Sequence, residues 1–190
     1  DYEQSERTIH QLLVEAGNHG VGNGLVSVDP KGLEAAADWS DLKSEENFLG
    51  FERTENFASP GGVVTNQRHG YEVPAQLGLN DWALSGEWTM ENEGVVSNEP
   101  GGRIAYRFHA RDVNLIMGAR SREASVRFRV LVDGQPPGTA HGSDVDENGY
   151  GSVSEQRTYQ LIRQRKPIVD RQFEIQFLGP GVEAFDFTFG

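Results

Sequence analysis

Residues 126–132 read Val126-Arg127-Phe128-Arg129-Val130-Leu131-Val132. Along an extended chain, Val126, Phe128, Val130 and Val132 point to one side, and Arg127, Arg129 and Leu131 to the other. That alternation predicts a half-buried strand, and it recurs along the chain. Trp82, Leu84, Gly86 and Trp88 alternate with Ala83, Ser85 and Glu87. Ile104, Tyr106 and Phe108 alternate with Arg103, Arg107 and His109; Phe173, Ile175 and Phe177 alternate with Gln172, Glu174 and Gln176. Val95-Val96 and Val113–Met117 are short apolar runs, Tyr159 and Leu161 share a face, and Phe185, Phe187 and Phe189 close the chain. Turn clusters such as Glu99-Pro100-Gly101-Gly102 and Asp133-Gly134 separate these segments. About eight short strands with no helical pattern between them predict a mainly β domain. Its expected form is an antiparallel jelly-roll β-sandwich over 60–190, with the last strand held inside a sheet.

Upstream the period changes. Ile9, Leu12, Leu13 and Ala16 follow the i, i+3, i+4, i+7 pattern of one helical face, which predicts a helix over 1–16. Asp1, Glu3 and Glu6 suit its start, and Gly17-Asn18 suits its stop. Residues 18–32 are glycine-rich, with room for one short strand at Leu25–Val28. Leu33–Leu42 has the pattern of one or two helical turns, and Phe48, Phe51 and Phe57 are large apolar anchors. The chain therefore divides into a terminal helix (1–17), a linker or strap (18–59) lying on the main domain, and the sandwich (60–190).

Composition removes several functions. The chain of 190 residues has no cysteine, so dithiol exchange, a thiolate nucleophile and thiolate metal sites are excluded. A net charge of −12 argues against a nucleic-acid backbone or an anionic membrane as partner. No apolar run is long enough to span a bilayer. The expectation is a soluble fragment, an accessory module whose chemistry lies elsewhere in a longer protein.

Three stretches carry a resemblance. They are Phe48-Leu-Gly-Phe-Glu-Arg53 with Asn56-Phe-Ala-Ser-Pro-Gly61; Trp82-Ala-Leu-Ser-Gly-Glu-Trp88; and Phe128–Gly138 running on to His141–Asp146 and Tyr159–Gln164. Together the chain resembles the C-terminal region of DipZ-type proteins, thioredoxin-family thiol–disulfide proteins linked to cytochrome c biogenesis. The resemblance implies an upstream thioredoxin-like domain, a sandwich similar to carbohydrate-binding modules, and a periplasmic or extracytoplasmic location. It also implies that residues 1–16 are the last helix of the thioredoxin fold. The family's Cys-x-x-Cys matches no position here, so no catalytic residue carries over.

Two constellations are candidates for binding. Asp144-Val-Asp146-Glu-Asn148-Gly149-Tyr150-Gly-Ser152-Val-Ser-Glu155 fits the calcium-loop pattern D-x-[DN]-x-[DN]-G-x₅-E. Asp144, Asp146, Asn148, Ser152 and Glu155 would supply side-chain oxygens to Ca²⁺ and Tyr150 a backbone carbonyl, with Gly149 in the sharp turn. The other reading of this stretch is an acidic hairpin loop held by Asx-turns. Exposed aromatics are the second candidate, because an apolar sugar face stacks on them. Trp39, Tyr71 and Tyr150 are the expected platforms; Trp82, Trp88 and Tyr106 share parity with core positions.

Histidines 10, 19, 69, 109 and 141 show no metal spacing and are expected at the surface or in turns; His109 with Arg111 and Asp112 ends a strand, where a turn salt bridge is expected. Arg120, Arg122, Arg127 and Arg129 form a basic cluster. A solvated sheet edge explains it, with an anionic ligand as the alternative. No carboxylate pair is placed by spacing for glycosidase chemistry, and no G-x-S-x-G elbow occurs. The expected function is a noncatalytic module that binds a glycan or glycosylated partner. The alternatives are docking on a protein client, dimerisation, or a calcium-stabilised structural domain.

Overall fold

Period-two segments stay extended when alternate side chains can share one core. In the computed structural model, which describes residues 2–18, 20, 22, 24, 25, 31–121 and 125–190, such segments form the bulk of the protein. The strands are β1 (Asn47–Phe48), β2 (Arg68–Tyr71), β3 (Trp82–Met90), β4 (Val95–Ser97), β5 (Arg103–Phe108) and β6 (Asp112–Ala119). They continue as β7 (Val126–Val132), β8 (Tyr150–Val153), β9 (Arg157–Arg163), β10 (Arg171–Phe177) and β11 (Val182–Phe189). All the strand pairs are antiparallel.

One sheet runs β8-β7-β10-β5-β3, and the other β2-β3-β4-β11-β6-β9, with β1 on β11. Strand β3 thus serves both. Trp82–Ser85 pair with β5, whereas Gly86–Thr89 pair with β2 and Trp88–Met90 with β4. The change of sheet falls at Gly86, whose φ is +92°. Only glycine adopts that backbone freely, and a Cβ there would meet Gly102 Cα at 3.3 Å. Trp82, Leu84, Trp88 and Met90 nevertheless all face the core, so the strand turns without losing its parity.

Between the sheets lies one apolar cluster that takes Phe128 and Val130 from β7, Phe173, Ile175 and Phe177 from β10, and Leu115, Met117 and Phe187 from the opposite layer. A small second cluster of Leu77, Ala83 and Ala105 covers part of the outer side of the first sheet. The jelly-roll sandwich is the fold the alternation predicts, and β11 is indeed held inside its sheet.

Three strands escape that pattern. Strand β1 is two residues long, and the sequences of β2 (Arg-His-Gly-Tyr) and β8 (Tyr-Gly-Ser-Val) hold glycine and polar residues. The structure also changes two expectations. Strand β7 lies between β8 and β10, so Arg127 and Arg129 do not guard an edge. Over 33–42 only one short 3₁₀ turn forms, at Gly32–Glu34.

The chain separates into residues 1–35 and a unit of 36–190 that includes β1 and the second half of the strap. The first holds α1 (Tyr2–Glu15), close to the predicted bounds. Gly17, at φ +83°, stops the helix, with Gly17 N–H bonded to Val14 and Asn18 N–H to Leu13. This is a Schellman closure. Of the strand expected at Leu25–Val28, residues 26–28 lie outside the described residues, as do His19 and Arg122.

Replacing Gly86 by Ala is expected to lower unfolding free energy in urea by about 1–2 kcal/mol, the cost of a left-handed backbone for a residue with Cβ. An unchanged midpoint would mean that β3 does not need its pivot.

Candidate functional site

Strand β11 carries an irregularity between Ala184 and Asp186 that sets Phe187 into the core and Asp186 on the outer face of its sheet. Opposite Asp186 stand Phe48 on β1 and Ile116 on β6. The strap closes over this face, leaving Asp186 only 4% exposed. Among the described residues no donor reaches its Oδ1. Its neighbour is another acid, the carboxyl of Glu46, in hydrogen-bond contact. Burial first, and then Glu46, pushes the Asp186 carboxyl up to about 7, against the opposing charge of Arg53. A proton held between the two carboxyls satisfies both; two bare carboxylates here would repel.

Two cavities flank this pair. One, of about 290 Å³, is lined by Phe48, Arg53, Ile116, Gln156, Phe185 and Asp186, with Glu52 and Glu93 at its wall. The Arg53 guanidinium lies 3.3 Å above the Phe48 ring. The other, of about 460 Å³, is lined by Trp39, Leu42, Glu45, Glu46, Thr188 and Phe189. Glu46 lines one cavity and bonds to Asp186, which lines the other, so the carboxyl pair is the wall between them.

Trp39 is 80% exposed at the mouth of the second cavity. Its turn is fixed. Asp41 N–H bonds to Asp38 O at 2.9 Å, Ser40 Oγ donates to Asp38 Oδ1 at 2.6 Å, and Lys166 Nζ lies 3.1 Å from Asp38 Oδ2. The hydrogen bond from Ser40, then Lys166, holds the Asp38 carboxyl below its usual range.

Behind the turn lies a latch. His109, buried at the end of β5, places Nδ1 2.5 Å from Asp170 Oδ1 and Nε2 3.0 Å from Asp41 Oδ1. Its hydrogen bond lowers the Asp170 carboxyl. His109 N–H donates to Ser44 Oγ at 2.9 Å, and Lys43 N–H donates to His109 O at 3.0 Å. The strap therefore cannot leave β5 without breaking several bonds.

The expected site residues separate. Trp39 is an exposed platform beside a cavity. Tyr71 is not: it is 3% exposed, and its hydroxyl bonds to Val64 O and accepts from Val64 N–H. Its strand is short and turns that side chain into the core. Tyr150 is half-buried, with the guanidiniums of Arg127 and Arg129 at 5.2 and 5.4 Å from its ring centre. Trp82, Trp88 and Tyr106 are core, as their parity predicts.

Residues 144–155 form a turn followed by β8, not one shell around a point. Asp144 Oδ1 meets Arg157 at 2.6 Å, and its Oδ2 accepts Gln160 N–H at 2.9 Å. Asp146 Oδ1 accepts the N–H of Asn148 and Tyr150 at 2.9 and 2.8 Å, and Gly149 takes φ +88°. Ser152 sits within β8, and Glu155, 78% exposed, turns to Arg157. Among the described residues no three His, Cys, Asp or Glu side chains gather into one cluster. This geometry is that of the Asx-turn reading.

His109 corrects the expectation of a surface or turn histidine: it is buried and serves Asp41 and Asp170. The salt bridge of that turn is formed by Arg111 and Asp112 at 2.7 Å, with Arg163 on the same carboxylate. The Glu46–Asp186 pair was not legible from spacing. One signal was present, an acid between two phenylalanines in the last strand.

A sequence profile described as "Thioredoxin like C-terminal domain" matches residues 44–190. Protein DipZ of Mycobacterium tuberculosis (strain CDC 1551 / Oshkosh) is 28% identical over 91 residues, 48% of this chain and 12% of that protein. The chain thus spans only a small part of this relative. A family two carbohydrate esterase from Clostridium thermocellum, solved in complex with cellohexaose, aligns with a TM-score of 0.39 at 17% identity. That match covers 52% of this chain and 27% of the esterase. A family 6 carbohydrate-binding module aligns with a TM-score of 0.32 at 20% identity, over 51% of this chain and 72% of the module.

Two outcomes are expected from these contacts. An acid whose folded pKa is raised leaves the folded state holding more protons between its ordinary value of 3.8 and about 7, so it costs stability as pH rises through that window. Asp186→Asn should therefore raise stability by roughly 2–4 kcal/mol at pH 8 and much less at pH 4, read from urea titrations at both pH values. Equal effects at both would show that Asp186 ionises normally. In the loop, Asp144→Ala should lower the melting temperature to the same extent with calcium or EDTA; a calcium-dependent difference would restore the ion-site reading.

Proposed function

Because the chain belongs to the thioredoxin-like C-terminal domain family, we propose that it is the noncatalytic binding module of a DipZ-like thiol–disulfide protein, working outside the cytoplasm, with a glycan as its ligand. The observation that carries this reading is Trp39, an indole left 80% exposed on a pinned turn beside a cavity of about 460 Å³. A single exposed apolar residue is ordinary surface; what favours use here is that this indole is held by its turn beside a cavity lined by both apolar and polar groups. A sugar ring offers an apolar face to such an indole, and its hydroxyls donate to carboxylates. Glu45 and Glu46 stand where those donors would reach, and Leu42 and Phe189 complete the apolar floor. The latch through His109 fits the same reading, since a platform fixed before binding loses less entropy on binding.

Hydrolysis is poorly supported. The Glu46 and Asp186 carboxyls touch through a hydrogen bond, whereas the two carboxyls of glycosidases stand about 5 Å or more apart, across the scissile bond. With no cysteine in these residues, the thiol chemistry of such a protein would belong to a thioredoxin-like domain outside them.

A second reading, docking, rests on α1. Ile9 and Leu12 are 55% and 57% exposed, an apolar stripe that suits the upstream thioredoxin-like domain as its cover.

Affinity electrophoresis through soluble neutral polysaccharides tests the first reading. The wild-type protein should be retarded by at least one of them, and Trp39→Ala should lose at least tenfold in affinity, about 1.4 kcal/mol, with an unchanged melting temperature. Retardation of neither protein, together with protection of α1 from hydrogen exchange only when the upstream domain is attached, would transfer the function to docking.

A further inference from the structure

The outer face of the first sheet carries a second arrangement, remote from Trp39 in sequence and built by strand register. Tyr150 on β8 stands opposite Arg129 on β7, Arg129 opposite Gln176 on β10, Gln176 opposite Arg103 on β5, and Arg103 opposite Ser85 on β3. Adjacent strands lie about 4.8 Å apart. These five side chains therefore make one straight row of hydrogen-bonding groups across the sheet. Arg127 lies two residues from Arg129 on the same face.

Two features set this row apart from ordinary surface. Arg103, Arg107, Arg120, Arg157 and Arg171 each have a carboxylate partner. Arg127 and Arg129 have none among the described residues, on a chain of net charge −12. Both guanidiniums lie beside one aromatic ring, at 5.2 and 5.4 Å from its centre. Like charges gathered around one ring repel unless an anion joins them. In addition, the Arg129 Nε is shielded from solvent and meets no acceptor. The arginines are not needed to protect an edge, because β7 is an interior strand.

The acidic turn that resembles a calcium loop has a place in this arrangement. Asp146 Oδ1 accepts the Tyr150 N–H at 2.8 Å, and the Asp146 N–H donates to Tyr150 O at 2.9 Å. The turn thereby fixes the start of β8 and the ring that the two arginines flank.

We infer that this row binds an acidic oligosaccharide laid across the strands, its oxyanions held by Arg127 and Arg129 beside Tyr150 and its chain continuing over Gln176 toward Arg103. The strand spacing is comparable to the advance of one pyranose ring along a sugar chain, so successive rings meet successive side chains. A guanidinium fork takes a carboxylate or a sulfate with two parallel hydrogen bonds. The oxyanion therefore belongs to a uronic acid or to a sulfate ester. The saccharide part of this inference rests on the glycan reading above; the anion part rests on the row alone.

Calorimetric titration of the full 190-residue chain tests it with four probes: an oligogalacturonate, a sulfated oligosaccharide, a neutral cello-oligosaccharide and inorganic sulfate. One of the two acidic oligomers should bind, which names the oxyanion, and its affinity should fall as salt rises. The double variant Arg127→Ala, Arg129→Ala should lose at least tenfold in that affinity, whereas Trp39→Ala should lose none. Arg129→Lys, which keeps the charge and loses the fork, guards against misfolding as the cause and should show a smaller, definite loss. Inorganic sulfate binding as tightly as either oligomer would overturn the saccharide assignment. Undiminished binding by the double variant, or no binding of either acidic oligomer, would overturn the row. Failure of any neutral polysaccharide to retard the wild-type protein, with acidic binding intact, would sink only the Trp39 site, so the two readings fail separately.

Discussion

Trp82 and Trp88 stand on either side of Gly86 in one strand, and both indoles enter the same core. Each N–H is met locally: Trp82 Nε1 donates to Glu55 O at 3.0 Å, and Trp88 Nε1 to Ser85 O at 2.9 Å. The first bond ties the strap to the sandwich. The second closes the bend on itself. Gly102 lies against the Trp88 ring, where a Cβ would come within 3.1 Å of it. Because β3 is hydrogen-bonded into both sheets, this bend decides how the layers face each other. The rest of the core fills the space it defines.

From that frame the strap acquires its role. A segment without regular structure of its own needs partners for its backbone groups. It finds them in β1 against β11, in the Asn47 amide, which donates to the Tyr106 hydroxyl at 3.2 Å, and in the His109 latch. Two carboxylates bracket the His109 ring, so both ring nitrogens donate when the imidazole carries its second proton. The same closure that holds the strap buries Asp186 beside Glu46. A buried acid next to another acid is a cost to folding. Such costs concentrate at sites that bind, and here the cost lies between the two cavities of the outer face.

Much of this was legible in the sequence, and the failures have physical reasons. Alternation in β3, β5, β7 and β10 gave the sandwich because each of those strands buries one face. Parity also assigned Trp82, Trp88 and Tyr106 to the core. Strand β8 was hidden because Tyr150-Gly-Ser-Val follows a turn whose acids and glycine match an ion loop letter for letter. In the structure Asp146 accepts from the backbone N–H groups of Asn148 and Tyr150, and Asp144 from the Gln160 N–H and the Arg157 guanidinium. His109 and Asp186 were missed because their partners, Asp41, Asp170 and Glu46, come from remote parts of the chain. Local spacing carries no information on such pairs. The exposure of Trp39 needs no remote partner, so it was open to anticipation from the sequence.

Net charge misleads in a comparable way. An excess of acidic residues disfavours long-range attraction of any polyanion, and that argument holds for a nucleic-acid backbone. It weakens at short range. Beyond a Debye length of about 8–10 Å, exposed charges are screened, so a bound anion responds mainly to its immediate neighbours. Around Tyr150 these include Arg127 and Arg129, with Arg103 two strands beyond Arg129, and also the Asp146 carboxylate, which the Tyr150 N–H already engages. Further acidic groups stand at the two cavities of the opposite sheet: Glu52 and Glu93 at one, Glu45 and Glu46 at the other. On the proposed readings, a neutral sugar would suit the acid-lined groove beside Trp39, whose carboxylates accept hydroxyl donors, and an acidic sugar would be repelled there and suit the arginine row. The summed charge of the chain conceals that difference.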